Sequence, residues 1–320
     1  MGRVTSAARL RISKPVADAI SAREPVVALE STVITHGLPR PRNLEAGRRL
    51  EAVVTAAGAR PATVGVIGGE LVVGLDADEL AYLASANADK ASTWNLAAIC
   101  ARGDDAGTTV ATTLFAAHAA GIDVFATGGI GGVHHAPFDE SADLLALARF
   151  PVLTVCAGPK SILDAAATLE RLESHGVGVV GYGSDRLAGF LVAETELPVP
   201  ASVASPEAAA AILRAQRELG LGGGVLLCKP VSRGLEPAEF DQLRASAQAE
   251  LESLHVGGRD TTPFLLSALA RLSGGKTVEV NTRLLEENAS LAAKVAAALV
   301  RAAAGRQHSV PVPGGLEATT

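Results

Sequence analysis

The residues best suited to chemistry in this 320-residue chain are Lys160, Glu30, Lys90 and Asp139, each close to glycines or hydroxyls near an apolar run. Lys160 lies in Cys156-Ala157-Gly158-Pro159-Lys160-Ser161-Ile162, where a strand pattern gives way to a helix pattern. A cation at a helix N-terminus opposes the macrodipole, so a lysine there should cost stability unless it serves a purpose. An ordinary lysine amine, with a pKa of about 10.4, is neutral in only about one molecule in a few thousand at pH 7. Desolvation or a second cation raises that fraction and makes a nucleophile. Glu30 opens Glu30-Ser31-Thr32-Val33-Ile34-Thr35-His36-Gly37, directly after the apolar run Val26–Leu29. A carboxylate there can reach a cleft, and burial would raise its pKa toward that of a useful acid. Capping of a neighbouring helix would explain the same glutamate.

Two further clusters concern anions and metals. Gly107-Thr108-Thr109-Val110 opens an Ala-rich helical pattern whose free N–H groups can bind an anion, with Lys90 upstream as a counter-charge. A plain threonine N-cap and a solvated surface lysine account for the same letters. Thr127-Gly128-Gly129-Ile130-Gly131-Gly132-Val133-His134-His135 holds four glycines in five residues after a strand, which lets backbone approach a ligand closely or simply makes tight turns. Adjacent His134 and His135 point apart in a strand and do not suit one metal. Asp139 completed by water would suit a hard ion, and Asp139 or Ser141 could equally cap the helix that follows. Gly275-Lys276-Thr277 looks like part of a phosphate loop, but Ala270 stands where that motif needs glycine and a helix pattern precedes it. It reads as a helix-to-helix turn.

The elements that must position these residues are short apolar strands alternating with longer amphipathic segments. Strand patterns occur at 26–29, 63–67, 124–126, 152–156, 177–180 and 225–228, and helical patterns near 41–57, 77–86, 108–120, 161–174 and 205–218. Continuous apolar strands separated by helices predict an α/β/α layered sandwich with a mostly parallel sheet, whose ligands sit at the carboxyl ends of the strands. Residues 236–254, 260–272 and 280–303 read as three helices broken at Gly257-Gly258 and Gly274-Gly275, packed onto the α/β layer. The reading is one catalytic domain over 13–305, a loose arm over 1–12 and a disordered polar tail over 306–320.

Composition narrows the function classes. Hydrophobic residues make up 48% and charged residues 19%, enough for a real core, while aromatics at 3% leave that core to aliphatics. A net charge of −6 argues against a non-specific nucleic-acid surface but leaves room for a phosphorylated ligand in a local pocket. Cys100, Cys156 and Cys228 lack metal or redox spacing and read as buried thiols, which fits a cytoplasmic enzyme. No apolar run has the length of a signal peptide or membrane span.

Together the strings ALESTVITHGLPRPRN (28–43), GTTVATT (107–113), FATGGIGGVHH (125–135), SADL (141–144), CAGPKSILD (156–164), TPFLL (262–266) and ENASLAA (287–293) resemble the pseudouridine-5′-phosphate glycosidase family, which includes indigoidine-cluster A-type proteins. The resemblance implies a homotrimeric enzyme that uses Mn²⁺ or another divalent ion such as Mg²⁺ and cleaves pseudouridine 5′-phosphate to uracil and ribose 5-phosphate. By motif position it implies Lys160 as Schiff-base nucleophile, Glu30 as proton donor and Asp139 as metal ligand. It places Lys90, Val110 (through its backbone), Ser141, Ala142 and Asp143 against the substrate, with Thr127, His134 and Asn288 in pocket roles. The chain departs from the family pattern at Ser92-Thr93-Trp94-Asn95, where Arg-Arg-Asp usually follows the lysine. Two other readings remain: a class I aldolase-like lyase on another sugar phosphate, and a catalytically silent nucleotide-binding protein.

Overall fold

The computed structural model describes residues 9–135, 139–254 and 261–307. The chain begins with β1 (Leu10–Ile12), α1 (Lys14–Ser21) and β2 (Val26–Leu29), then a single π-helical turn (Val33–Gly37). It continues through α2 (Arg42–Ala56), β3 (Arg60–Ile67), β4 (Glu70–Val73), α3 (Ala77–Ser85), β5 (Asp89–Ala91), α4 (Leu96–Arg102), β6 (Ala106–Thr108) and α5 (Val110–Ala120). The middle of the chain holds β7 (Val124–Ala126), α6 (Ala142–Arg149), β8 (Leu153–Cys156), α7 (Ala165–Ser174), β9 (Gly178–Tyr182), β10 (Arg186–Gly189), β11 (Val192–Pro198) and β12 (Ala201–Val203). Then come α8 (Pro206–Glu218), β13 (Val225–Cys228), α9 (Pro237–Ser253), α10 (Thr261–Leu272) and α11 (Lys276–Gln307).

One eleven-stranded sheet runs β1-β4-β3-β2-β7-β8-β13-β9-β12, with β6 on β3 and β5 on β6. All its pairings are parallel except β3 with β4 and β3 with β6. Side-chain alternation sends Val27, Leu29, Val155 and Leu227 into one apolar core under α2, α8 and α11. Val26, Ala28, Cys156 and Cys228 enter the opposite core, under α1, α5 and α6. Both faces are therefore covered, and the six apolar strand patterns are the buried centre of the α/β/α sandwich.

Helix starts follow ordinary capping chemistry. Asp76 and Glu79 close a capping box on α3, while Thr109, Ser141, Asp164 and Ser205 cap α5, α6, α7 and α8 with their side chains. The three C-terminal helices form as expected, and Gly274 and Gly275, both at positive φ, make the turn between α10 and α11. The break expected at Gly257-Gly258 lies outside the described residues.

Three expectations need correction. Residues 10–12 are not part of a loose arm, because they pair in parallel with β4 and shield its outer edge. The last helix continues through Gln307, so any tail begins after it, outside the described residues. The helix expected from 161 starts at Ala165, because the Asp164 side chain accepts from Ala167 N–H and fixes the cap there.

Close packing fixes several glycines. At Gly158, φ is +88° and a Cβ would stand 2.1 Å from Ala188 O, whereas at Gly121, φ +80°, a Cβ would meet nothing within 4 Å. Gly121→Ala should therefore cost about 1 kcal/mol of backbone strain, and Gly158→Ala about 2–4 kcal/mol because main chain must also move. Urea denaturation of both variants checks the order.

Candidate active site

The sheet brings the sequence candidates to one edge by register. Leu29 pairs with Ala126, and Ala126 with Val155, so the next residue of each strand emerges at the same carboxyl edge. That puts Glu30 beside Thr127, whose hydroxyl donates to Glu30 Oε1. Beyond the strands, the β7 and β8 loops stay paired through backbone. Thr127 N–H donates to Val155 O at 3.0 Å, Ala157 N–H to Gly128 O at 2.8 Å, Ile130 N–H to Gly158 O at 3.1 Å, and Lys160 N–H to Ile130 O at 3.1 Å. Lys160 is thereby carried over the same edge as Glu30, and each lies within electrostatic reach of the other.

Lys90 joins from a different part of the sheet. It pairs with Gly107 across β5 and β6. Thr109 N–H and Thr112 Oγ1 both donate to Ala91 O, at 2.9 Å each, and tie the start of α5 to Lys90's strand. The Ala111 N–H of α5's first turn is taken by Asp143 Oδ1 at 2.9 Å, while Val110 N–H has no acceptor among the described residues. Asp143 Oδ2 accepts from Gly131 N–H at 2.8 Å. Asp143 therefore joins the start of α5 to the glycine loop, and its two oxygens are committed to backbone donors. Ser141 caps α6 by accepting from Asp143 N–H at 3.2 Å, and Ala142 is the first residue of that helix.

The electrostatics follow from crowding charge at a partly dry edge. Burial raises the pKa of Glu30, and nearby Asp143 raises it further; Lys160, the Thr127 hydrogen bond and Lys90 pull it back without cancelling the shift. Lys90 is exposed as a residue, yet its pKa is lowered, first by loss of water around the ammonium and then by repulsion from Lys160, against the opposing pull of Asp143 and Glu30. The macrodipole argument for Lys160 does not survive, because α7 begins five residues later. Lys90 and Glu30 both feel its charge instead.

The remaining candidates divide by what they touch. Asn288, 1% exposed on α11, donates from Nδ2 to Thr127 O at 2.9 Å and Gly128 O at 3.3 Å and so braces the loop that holds Glu30's partner. His134 Nε2 stands 3.9 Å from Asp139 Oδ2, and His135 Nδ1 3.8 Å from Asp164 Oδ2, so the adjacent imidazoles turn to different carboxylates. The Asp139 side chain is 60% exposed. No cluster of three His, Cys, Asp or Glu residues suited to a metal occurs among the described residues. An exposed carboxylate with open lone pairs fits one position on a hard, largely hydrated divalent ion.

His36 is a neighbour that the sequence reading did not single out, although it belongs to the same string as Glu30. Burial and the charge of Lys90 lower its pKa, and Thr35 Oγ1 lies 2.7 Å from its Nδ1. At Ser92–Asn95, Asn95 Oδ1 accepts from Ser92 N–H at 2.7 Å and its Nδ2 donates to Lys90 O at 3.1 Å. This turn supports the Lys90 backbone without the charged residues usual there. Trp94 is 80% exposed within it.

Comparison with known proteins gives one consistent result. The indigoidine synthase A-like protein family matches residues 15–298. A pseudouridine-5′-phosphate glycosidase from Thermus thermophilus is 55% identical over 278 residues, covering 87% of this chain and 98% of the relative. One from Hahella chejuensis is 45% identical, over 91% of this chain and 98% of the relative. Among solved structures, the prealnumycin C-glycosynthase AlnA, in complex with ribulose 5-phosphate, superposes with a TM-score of 0.87 at 38% identity, over 94% of this chain and 100% of that one. The indigoidine synthase A-like protein of Thermotoga maritima gives 0.83 at 32% identity, over 91% and 97%. With its fold and nearly its whole length in common with them, the chain belongs to the indigoidine synthase A-like family.

Proposed function

We propose that this protein is a pseudouridine-5′-phosphate glycosidase, which reversibly breaks the C–C bond between uracil and ribose 5-phosphate. The observation that carries the reading is a lysine and a carboxyl of raised pKa held over one sheet edge, in a chain 55% identical to a relative of that name. A C-glycoside has no heteroatom leaving group to protonate, so the usual pair of glycosidase carboxylates would not suffice. Uracil must leave through C5, and C5 must gain a proton.

The reaction divides as follows. The Lys160 amine bonds to C1′ as the C1′–O4′ bond of the ribose breaks, O4′ leaving as a hydroxyl with the proton the amine gives up. The nitrogen lone pair of the open-chain adduct then allows the C1′–C5 bond to break to an imine. Glu30, whose burial favours the protonated form, delivers its proton to C5 as uracil departs. Water then hydrolyses the C1′ imine and returns ribose 5-phosphate and the free lysine. Lys90, the open Val110 N–H and Ser141 receive the phosphate, whose binding orients the reacting carbon. Ribulose 5-phosphate, bound by the AlnA relative, is an open-chain pentose phosphate, which supports a site built for an opened sugar. Asp143 acts by holding the start of α5 in place. Asp139, with water, would hold Mn²⁺ or Mg²⁺, which supplies positive charge beside the sugar phosphate. The resemblance also supports a homotrimer. Among the described residues no helix is long and apolar enough to cross a membrane.

Borohydride added with ribose 5-phosphate should label one lysine, and peptide mass spectrometry should find it at Lys160. The same label on Lys160→Ala would refute the nucleophile. Glu30→Gln should keep the fold and lower kcat for uracil release by about 10²–10⁴, and near-normal turnover would remove Glu30 from the chemistry. Because the Thr127 hydroxyl favours the charged form of Glu30, Thr127→Val should raise the carboxyl's pKa further. Cleavage needs the protonated acid and fails as pH rises through that pKa, so the alkaline limb of the rate profile should move to higher pH. A limb that stays put or moves to lower pH would count against Glu30 as the acid. Chelation should abolish turnover, with recovery on adding Mn²⁺, and Asp139→Asn should need more metal for the same recovery.

A further inference from the structure

Arg171, Glu140 and His175 form a polar cluster between α7 and the segment that precedes α6. The Arg171 fork donates from Nε to Glu140 Oε1 at 2.7 Å and from Nη2 to Oε2 at 2.6 Å, and His175 Nε2 lies 3.7 Å from Oε1. The Glu140 side chain is only 20% exposed. Planar two-bond pairing of this kind fixes direction as well as distance.

The pair sits at a telling place in the chain. Glu140 is the middle of Asp139-Glu140-Ser141, one arm of a small hairpin whose other arm is Gly132-Val133-His134. Ser141 N–H donates to Gly132 O at 3.0 Å and His134 N–H to Asp139 O at 2.9 Å. The first arm is fastened to the start of α7 close to the main chain: Asp164 N–H donates to Val133 O, and Val133 N–H to Thr168 Oγ1, at 2.9 Å each. The second arm reaches the same helix through Glu140 and Arg171. Residues 164, 168, 171 and 175 follow helical spacing, so the hairpin lies along one face of α7. That helix continues directly from the Lys160 loop.

We infer that Arg171 is a positioning residue: its fork on Glu140 clasps the Asp139–Ser141 arm to α7 and so sets where Asp139 and Ser141 stand relative to Lys160. The inference rests on the function proposed above for the identity of the ligands captured. Without Arg171, Glu140 keeps only His175 Nε2 at 3.7 Å, and the arm is free to swing Glu140 toward water, which carries its two neighbours with it. Lys160 and the Thr127–Glu30 pair are held by loop-to-loop backbone bonds and stay. Ligand capture therefore weakens while the covalent step persists.

The test uses the full chain with Arg171→Met, Glu140→Leu and the double variant. Each is titrated with Mn²⁺ by water-proton relaxation and assayed for pseudouridine 5′-phosphate formation from uracil and ribose 5-phosphate. Either single substitution should weaken Mn²⁺ binding and raise KM for ribose 5-phosphate by about tenfold, with kcat within about twofold. The double variant, which removes both charges and restores an apolar contact, should recover to within about threefold of the parent. Unchanged Mn²⁺ binding and KM beside a lowered Tm would make the pair merely structural and overturn the proposal, as would single effects that simply multiply in the double variant. A parent chain that binds Mn²⁺ yet forms no product would refute the assigned reaction instead, and the metal titration would still judge the clasp.

Discussion

Everything at the carboxyl edge depends on the backbone pairing that carries the β7 and β8 loops past the end of the sheet. Parallel strands normally diverge once their ladder stops. Here the ladder is extended by Ala157, Ile130 and Lys160 N–H groups donating across to Gly128, Gly158 and Ile130 carbonyls. Side chains could not lie between main chains that close, so the segment is built from glycine. A Cβ on Gly129 would stand 2.8 Å from Gly158 O, and one on Gly131 2.3 Å from Ser141 Oγ. The glycines serve mutual approach of protein backbones at least as much as approach of a ligand. Because the pairing is main-chain, it tolerates change in surrounding side chains and still delivers a lysine and a carboxyl to the same place.

Charge is then managed by neighbours and not by a helix end. Lys90 and Lys160 repel, Glu30 is kept partly dry, and Asp143 is held between two backbone donors. Two lysines and the open Val110 N–H thus face one edge, a concentration of donors suited to an anion.

Much of this was legible in the sequence because burial leaves a strong mark. The six apolar runs emerge as the parallel centre of the sheet, since strands covered on both faces must be continuously apolar. Strands β5 and β6 were not legible: Asp-Lys-Ala and Ala-Gly-Thr carry no strand pattern, and they are strands because β3 lends them partners. Likewise β11, with exposed Glu194 and Glu196, forms a separate two-stranded sheet with β10. Ile162 and Leu163 resemble the opening of a helix but are core residues of a turn, and this misplaced the helix end under Lys160. The pairing of Thr127 with Glu30 needed the register of β2 against β7, which no local string contains. Arg171 lies in a helix that reads as ordinary amphipathic surface, and its link to Glu140 arises only when the hairpin folds back along that helix.

The contact of Asn288 with the Thr127 and Gly128 carbonyls has a consequence for how the protein is made. The brace comes from α11, so during synthesis the sheet and both lysines leave the ribosome well before the residue that steadies the loop between them. A nascent chain without α11 leaves one face of β2, β7 and β8 bare as well as the Thr127–Gly128 loop unbraced. The brace and the core cover thus arrive together, with one helix.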